Sequence, residues 1–213
     1  RTLTQCVKPV SRGVIALPAT ADTQLKIVNP DASEAAIDLT LYGAEGEIQS
    51  LGARGITLAA YEERVIALSV LTKKATPVGV SFQASRGRAA VMAITQTQSS
   101  GTAAGPSQLG TSHLLPGIPA GATSSVVVLA NPGETRITAN LTAYGTTPAY
   151  HPQGGENISV PPHASVSVSL ENALLGEASA IQVNSDAPVM AGMAFTLGDS
   201  AQVAPVAAGT SLG

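Results

Sequence analysis

The chain contains one strand-and-turn pattern twice, and this repeat restricts what the chain can fold into. "KIVNPDASEAAIDLTLYG" covers residues 26–43, and "VVLANPGETRITANLTAYG" covers residues 127–145. Pro132 follows Pro30 by 102 positions, and this register holds to the middle of each copy before it slips by about three positions. Agreement over a unit of about 80 residues predicts tandem duplication of one structural unit.

Hydrophobic alternation within each copy predicts β-strands. Residues 36–42 and 138–144 alternate apolar with polar side chains, which is typical of strands with one buried face. The predicted inward residues are Ile37, Leu39, Leu41, Ala139, Leu141 and Ala143. Turn-forming residues recur every 8–15 positions or so, and no stretch keeps a helical period for three turns. We therefore predict an all-β chain of two tandem immunoglobulin- or fibronectin-like antiparallel β-sandwich repeats.

Composition shifts along the chain predict its domain organisation. Residues 1–97 would form the first β-sandwich repeat and residues 114–200 the second. Residues 98–113 are rich in Gly, Ser and Thr, and we predict a connector there. Residues 201–213 form a low-complexity tail.

The charge content points away from nucleic acids and from a membrane span. Charged residues make up 12% of the chain, about half the fraction usual for soluble domains. The residues after position 100 include a single cation, Arg136, so clustered cations for phosphate contacts are missing there. No apolar run approaches the ~18 residues of a transmembrane helix. The low charge and the start at Arg1 predict an excised portion of an exported, extracytoplasmic protein.

Residue patterns for catalysis or metal binding are missing from the sequence. The three histidines, His113, His151 and His163, lack metal-ligand spacing, and we predict that all three lie in solvated loops. No Gly-x-Ser-x-Gly motif is present, and the adjacent acids Glu62 and Glu63 fall in a predicted turn. We therefore assign no catalytic, cofactor-binding or metal-binding residue and expect that the chain is not an enzyme.

Candidate partner-binding residues lie where the two copies differ. The loop at residues 146–153 of the second copy has lost the acids of the first copy, and it contains Tyr150 and His151. A basic predicted hairpin tip in the first copy contains Arg86 and Arg88, which could contact an anionic polymer or simply protect a strand edge. These four residues are our candidates for contact with a partner.

The six aromatic residues bear on carbohydrate recognition, which commonly uses exposed aromatic rings. Tyr42 and Tyr144 occupy equivalent positions of the repeat, which predicts one shared structural role at a strand end. Phe82 and Phe195 fall within predicted strands and are assigned to the core. The remaining pair, Tyr61 and Tyr150, is small for a carbohydrate-binding surface.

The repeated Asn-Pro and Leu-Tyr-Gly pattern, the "CVKP" opening at residues 6–9 and the "AAVMAITQTQSSG" segment at residues 89–101 resemble the actinobacterial family known as domain of unknown function 5719. The resemblance spans nearly the whole chain. It implies an exported, often membrane-anchored cell-envelope protein without an assigned activity, and it transfers no functional residue. Cys6 is the only cysteine, so an internal disulfide is impossible.

The sequence thus favours a non-catalytic extracytoplasmic module that acts as a scaffold, a spacer or a protein-binding unit. A carbohydrate-binding module for cell-wall glycans is the alternative. The expected partner is another envelope protein or a cell-wall polymer, without nucleic acid and without a cofactor.

Overall fold

The fold was described from a computed structural model of the chain. The structure describes residues 7–18, 23–72, 77–96, 101–105, 107–118, 124–146, 148–170, 173–174, 178–197, 200–204 and 207–208. The prediction of an all-β chain with antiparallel sheets is confirmed, since 64% of the described residues lie in strands. Cys6 lies outside the described residues.

The first half of the chain forms two facing sheets. Its strands are β1 (Arg12–Pro18), β2 (Thr23–Val28), β3 (Ala35–Gly43), β4 (Gly46–Ile48), β5 (Ile56–Leu58), β6 (Glu63–Ala67), β7 (Pro77–Arg86), β8 (Ala90–Gln96) and β9 (Gly101–Ala104). A 3-10 turn at Leu51–Ala53 and the short helix α1 (Leu68–Thr72) connect them. We call the order β6-β2-β8-β9 sheet I, and the order β1-β7-β3-β4, with β5 also on β3, sheet II.

The second half forms two further sheets that share one long strand. Its strands are β10 (Gly110–Pro116), β11 (Ser124–Ala130), β12 (Ile137–Gly145), β13 (Ile158–Val160), β14 (Ser165–Ser169), β15 (Ala178–Leu197), β16 (Ser200–Ala204) and β17 (Ala207–Ala208). Sheet III has the order β14-β11-β15-β16, and sheet IV has the order β13-β12-β15-β10-β17. The first part of β15 pairs in sheet IV and its last eight residues, 190–197, lie in sheet III.

Each pair of sheets encloses its own apolar core, as the period-2 alternation requires. The first core lies between sheets I and II, and the predicted inward residues Ile37, Leu39 and Leu41 are buried in it. The second core lies between sheets III and IV and contains the corresponding residues Ala139, Leu141 and Ala143. The assignment of Phe82 and Phe195 to the core is also confirmed.

Strand pairings of the first half recur at equivalent residues of the second half. Tyr42 pairs with Gly79 between β3 and β7, and Tyr144 pairs with Ala180 between β12 and β15. Strand β9 lies in the segment predicted to be a connector, and it pairs with β8 as β16 pairs with β15. The predicted connector and tail therefore both contain strands, while the predicted domain boundaries stay predictions.

The two halves pack directly against each other through sheets II and III. A third apolar cluster joins them, made of Val14, Ala16, Tyr42, Val128, Ala130 and Met190. Two glycines allow this close approach. A Cβ atom on Gly79 would overlap the Cβ of Ala130, and one on Gly192 would overlap the carbonyl oxygen of Ala16. The four sheets thus stack in the order I, II, III, IV.

One predicted turn has a different form in the structure. The "SRGR" segment was expected to be a hairpin tip, but β7 and β8 pair in different sheets, so the segment is a corner between sheets II and I. Gly87 makes this corner with φ of 70°. Ser185 and Asp186 also belong to the turn-forming residues that the sequence offers, but no turn forms there, because both lie within β15.

Candidate functional site

A groove lined by both polar and apolar groups lies on the outer face of sheet II. Its volume is about 600 Å³. Sheet II forms the floor, and the segment Ser107–Leu109, which leads from the first half into the second, forms one wall. The lining residues are Arg12, Gly13, Val14, Asp38, Thr40, Arg54, Ser81, Phe82, Gln83, Ser85, Ser107, Gln108 and Leu109.

Two rows of side chains cross the floor of the groove, because β7 lies between β1 and β3. Gln83 is paired with Arg12 on one side and with Asp38 on the other. Neighbouring strands lie about 4.8 Å apart, so the guanidinium and the carboxylate start from backbone positions roughly 10 Å apart. Each row therefore places a fixed pattern of hydrogen-bonding groups in the groove, and the first row also carries one charge of each sign.

The second row holds Thr40, Ser81 and Val14. Ser81 pairs with Val14 on β1 and with Thr40 on β3, so two hydroxyls stand beside the charged row. The next row along the sheet contains Tyr42 and is covered by sheet III. The groove therefore ends where the contact between the two halves begins.

Backbone hydrogen bonds hold the rim of the groove in place. Gly55 donates its N–H to Oδ1 of Asp38 at 2.7 Å, which fixes the carboxylate at the edge of the floor. Arg54 Nη2 lies 3.6 Å from Glu47 Oε1, so this cation is oriented by an ion pair on the surface. On the opposite wall the N–H of Ser107 donates to the carbonyl oxygen of Val14 at 2.7 Å.

The partner candidates Arg86 and Arg88 form ion pairs with acids of the Asn-Pro loop. Arg86 Nη1 lies 2.6 Å from Glu34 Oε1, and Arg88 donates from Nε and Nη2 to the carboxylate of Asp31 at 3.0 and 2.9 Å. The hydrogen bond from Arg88 lowers the pKa of Asp31. Both arginines and Glu34 are exposed and Asp31 is partly exposed, so these contacts tie the sheet corner to the loop and add little stability.

The other two partner candidates, Tyr150 and His151, lie beside β12 in the second half. Tyr150 and Ala143 exchange two backbone hydrogen bonds, of 2.8 and 3.2 Å, and the tyrosine ring packs partly against the second core. His151 is exposed, and its Nδ1 donates to the carbonyl oxygen of Leu141 at 2.7 Å. Neither residue lines the groove, and the structure does not join them with the two arginines into one cluster.

The prediction that His113 is a solvated loop residue is wrong. His113 lies in β10 and is 1% exposed, and its Nε2 donates to the carbonyl oxygens of Gly110 and Val189 at 3.0 and 2.8 Å. These bonds join the two strands at the point where the register between β10 and β15 shifts. The alternation of His113 with the core residue Leu115 was the sequence signal that places it inside.

The repeated Asn-Pro pair has a structural role, not a catalytic one. Asn29 is fully buried, and its Nδ2 donates to the carbonyl oxygens of Ser33, Leu58 and Ala59. Asn131 is also fully buried, and its Nδ2 donates to two carbonyl oxygens, those of Thr135 and Val160. Each amide thus donates hydrogen bonds to backbone carbonyl oxygens that would otherwise be buried without a donor.

Tyr42 and Tyr144 both lie near the ends of their strands, as predicted, but their surroundings differ. Tyr42 is 7% exposed beneath sheet III, and its ring stacks on His163. Tyr144 is 39% exposed on the outer face of sheet IV, where its hydroxyl donates to Gln182 Oε1 at 2.7 Å. The face of sheet IV that carries Tyr144 is thus open, whereas sheet III covers the equivalent face of sheet II at Tyr42.

That open face of sheet IV carries neutral polar groups. Gln182 Nε2 donates to Ser112 Oγ and to Asn184 Oδ1, both at 3.3 Å, so the hydroxyl and amide groups form one network with Tyr144. The positions of Arg12 and Asp38 in the groove correspond to Ser112 and Asn140 here. The two equivalent faces therefore differ in charge as well as in coverage.

The candidate acid Glu62 has a structural environment. Its carboxylate accepts the N–H of Ala59 and one N–H of Arg64, both at 2.7 Å, and these bonds lower its pKa. A lowered pKa suits a fixed carboxylate and not a general acid at neutral pH. Within the described residues no group of three or more His, Cys, Asp or Glu side chains could hold a metal ion.

Sequence reasoning missed Arg12, Asp38 and Gln83 as members of one site. Each of them is an ordinary outward polar residue of its own strand, and only the register of β1, β7 and β3 brings them into one row. The interior strand glycine at position 79 signals only the close approach of the two halves, where the groove ends.

Comparison with known proteins identifies the family of the chain, and the function of that family is unknown. In the described part of the chain, no helix has the length and apolar character needed to cross a membrane. No curated protein and no solved structure matches the chain. Residues 2–213 match the family of unknown function DUF5719, and we conclude that the chain belongs to this family.

Proposed function

We propose that the chain is a non-catalytic, extracytoplasmic module of a cell-envelope protein, and that it binds an extended segment of a partner protein in the groove of sheet II. We also propose that its two halves are tandem repeats of an immunoglobulin- or fibronectin-like sandwich. The carrying observation is the row Arg12, Gln83 and Asp38 on a floor that β1, β7 and β3 hold in register.

The chemistry of the row favours a peptide over other partners. An amide side chain such as Gln83 matches the donor and acceptor of a peptide backbone. Arg12 and Asp38 on either side of it complement one acidic and one basic residue of that peptide. Because the strand register and backbone hydrogen bonds hold the floor and rim in place, the groove needs little rearrangement on binding.

A photo-crosslinking amino acid at Thr40, in the groove, tests this proposal. The matched control carries it at Thr142, the equivalent residue on the open face of sheet IV. In intact envelopes we expect a discrete protein adduct from position 40 and none from position 142. The adduct should be lost when Asp38→Ala and Arg12→Ala are added. An adduct that both positions give, or that survives the double change, contradicts binding in the groove.

A carbohydrate-binding function is the second candidate, and the open face of sheet IV favours it. Its exposed tyrosine and its uncharged amides and hydroxyls suit a neutral, hydroxyl-rich polymer. Co-sedimentation with insoluble wall glycans tests it. Tyr144→Ala should weaken retention several-fold, and Tyr61→Ala, a change of an exposed tyrosine elsewhere, should not. Absence of retention by the unchanged protein rejects this candidate.

A further inference from the structure

Strand β14 is an edge strand with an unusual composition. Among the described strands it pairs with β11 alone, so one side of it forms the border of sheet III. Its sequence, Ser-Val-Ser-Val-Ser at residues 165–169, contains two β-branched valines, no charge and no proline. Edge strands of this kind are templates for pairing with another strand, and natural proteins usually protect them with charged residues or proline.

The equivalent edge of the first half has such protection. Strand β6 pairs with β2 as β14 pairs with β11, and Val65 on β6 corresponds to Ser167 on β14. Strand β6 carries Glu63, which forms an ion pair with Lys26 at 2.8 Å, and Arg64, which forms one with Glu62 at 2.7 Å. Two copies of one edge thus differ in a way that leaves only the edge in the second half suited to strand addition.

The backbone hydrogen bonds beside β14 show which of its backbone groups face outward. The N–H of Asn131 donates to Ala164, and the N–H of Leu170 donates to Ser125, so the even-numbered residues of β14 bond to β11. In an antiparallel ladder the alternate residues direct their N–H and C=O groups to the other side. Ser167 is therefore the central residue whose backbone groups point away from the sheet.

We propose that a second copy of this chain pairs with β14, strand against strand, around a twofold axis at Ser167. The sequence of β14 reads the same in both directions, so antiparallel pairing places Val166 opposite Val168 of the other copy. A twofold contact of this kind uses the same surface on both copies and closes after two chains. Sheet III of one copy then continues into sheet III of the other, and the open edge is covered.

Sedimentation velocity over a concentration series tests the pairing. We expect a species of twice the 21.3 kDa chain mass to form with increasing concentration. Ser167→Pro removes an outward N–H without removing a bond to β11, so it should give a monomer. Val65→Pro at the equivalent position of β6 should still dimerise. A monomer at every concentration overturns the proposal, as does dimerisation that Ser167→Pro leaves intact or that Val65→Pro abolishes.

Disulfide trapping gives a second measurement that does not depend on the folding of a proline variant. A central hydrogen-bonded antiparallel pair has a Cα separation of about 5.5 Å, within the range that a disulfide spans. In a chain with Cys6→Ser, oxidation of Ser167→Cys should give a covalent dimer, and oxidation of Val65→Cys should not. Equal yields from the two cysteines, or no dimer from Ser167→Cys, overturn the assignment to β14.

Discussion

Replacement of Gly192 by alanine tests how closely the two halves of the molecule approach each other. The added Cβ atom would overlap the carbonyl oxygen of Ala16 and would lie 2.7 Å from the carbonyl carbon. Both are backbone atoms of β1, so no change of a side-chain rotamer relieves the collision. Because carbon atoms normally approach to about 3.5 Å, sheets II and III must separate locally by at least ~0.8 Å.

This separation determines the expected loss of stability. A gap of ~0.5–1 Å removes a quarter to a half of the dispersion energy of the contacts beside it, which here include Val14, Val128 and Met190. Overpacking of a close-packed interior costs about 1–3 kcal/mol, and a collision with backbone belongs at the upper end. For a chain of this size a loss of about 3 kcal/mol lowers Tm by roughly 6–12 °C.

Differential scanning calorimetry measures this change, with Gly52→Ala as the control. A Cβ on Gly52 would lie 3.4 Å from Leu71 Cδ2, which is ordinary van der Waals contact, so its effect should stay within about 0.5 kcal/mol. Hydrogen exchange should also become faster in β1 of the Gly192→Ala protein and remain unchanged in β2. A Gly192→Ala protein with the Tm of the unchanged chain would refute the close approach of sheets II and III.

Four further substitutions test the loops, the contact between the halves and the carboxylate of Glu62. Asn29→Ala and Asn131→Ala should each cost about 2–3 kcal/mol in urea unfolding, because buried carbonyl oxygens lose their donors. Ser165→Ala should cost a similar amount, because its hydroxyl donates to the carbonyl of Tyr42 and accepts the N–H of Gly79 across the contact. The lowered pKa of Glu62 gives stability that is present above the pKa of the unfolded chain and is lost as the pH falls through the lower folded value. Glu62→Gln should therefore reduce the fall in Tm below about pH 4.5.

The core could be predicted because its signal is local. Ile37, Leu39 and Leu41 alternate with polar neighbours along one strand, and a single strand's pattern is enough to place them inside. The same rule would have placed His113 inside, but the Gly- and Ser-rich residues around it favoured a loop. Composition was the weaker guide there, since small polar residues also occur in strands.

The groove and the two different tyrosine environments depend on contacts between distant parts of the chain. Tyr42 and Tyr144 occupy equivalent positions in similar strands, and the coverage of sheet II by sheet III gives them different surroundings. No local pattern states which of two equivalent sheets is covered. The polar residues on the floor of the groove are likewise indistinguishable, in sequence, from residues that face solvent.

The residues at equivalent positions explain why sheet III packs against a neighbouring sheet and its equivalent, sheet I, does not. Sheet III meets sheet II with Val128, Ser165 and Gly192. At the corresponding positions sheet I carries Lys26, Glu63 and Met92, as the shared strand register shows.

Burial of the ion pair between Lys26 and Glu63, whose charged atoms are 2.8 Å apart, would cost the hydration energy of both charges. The side chain of Met92 would occupy the space that Gly192 leaves for the backbone of Ala16 in the contact between sheets II and III. Sheet I therefore cannot make against another sheet the contact that sheet III makes. The two halves therefore present different surfaces, and the surfaces that we propose for binding are those on which they differ, namely the groove of sheet II, the face of sheet IV and the edge of β14.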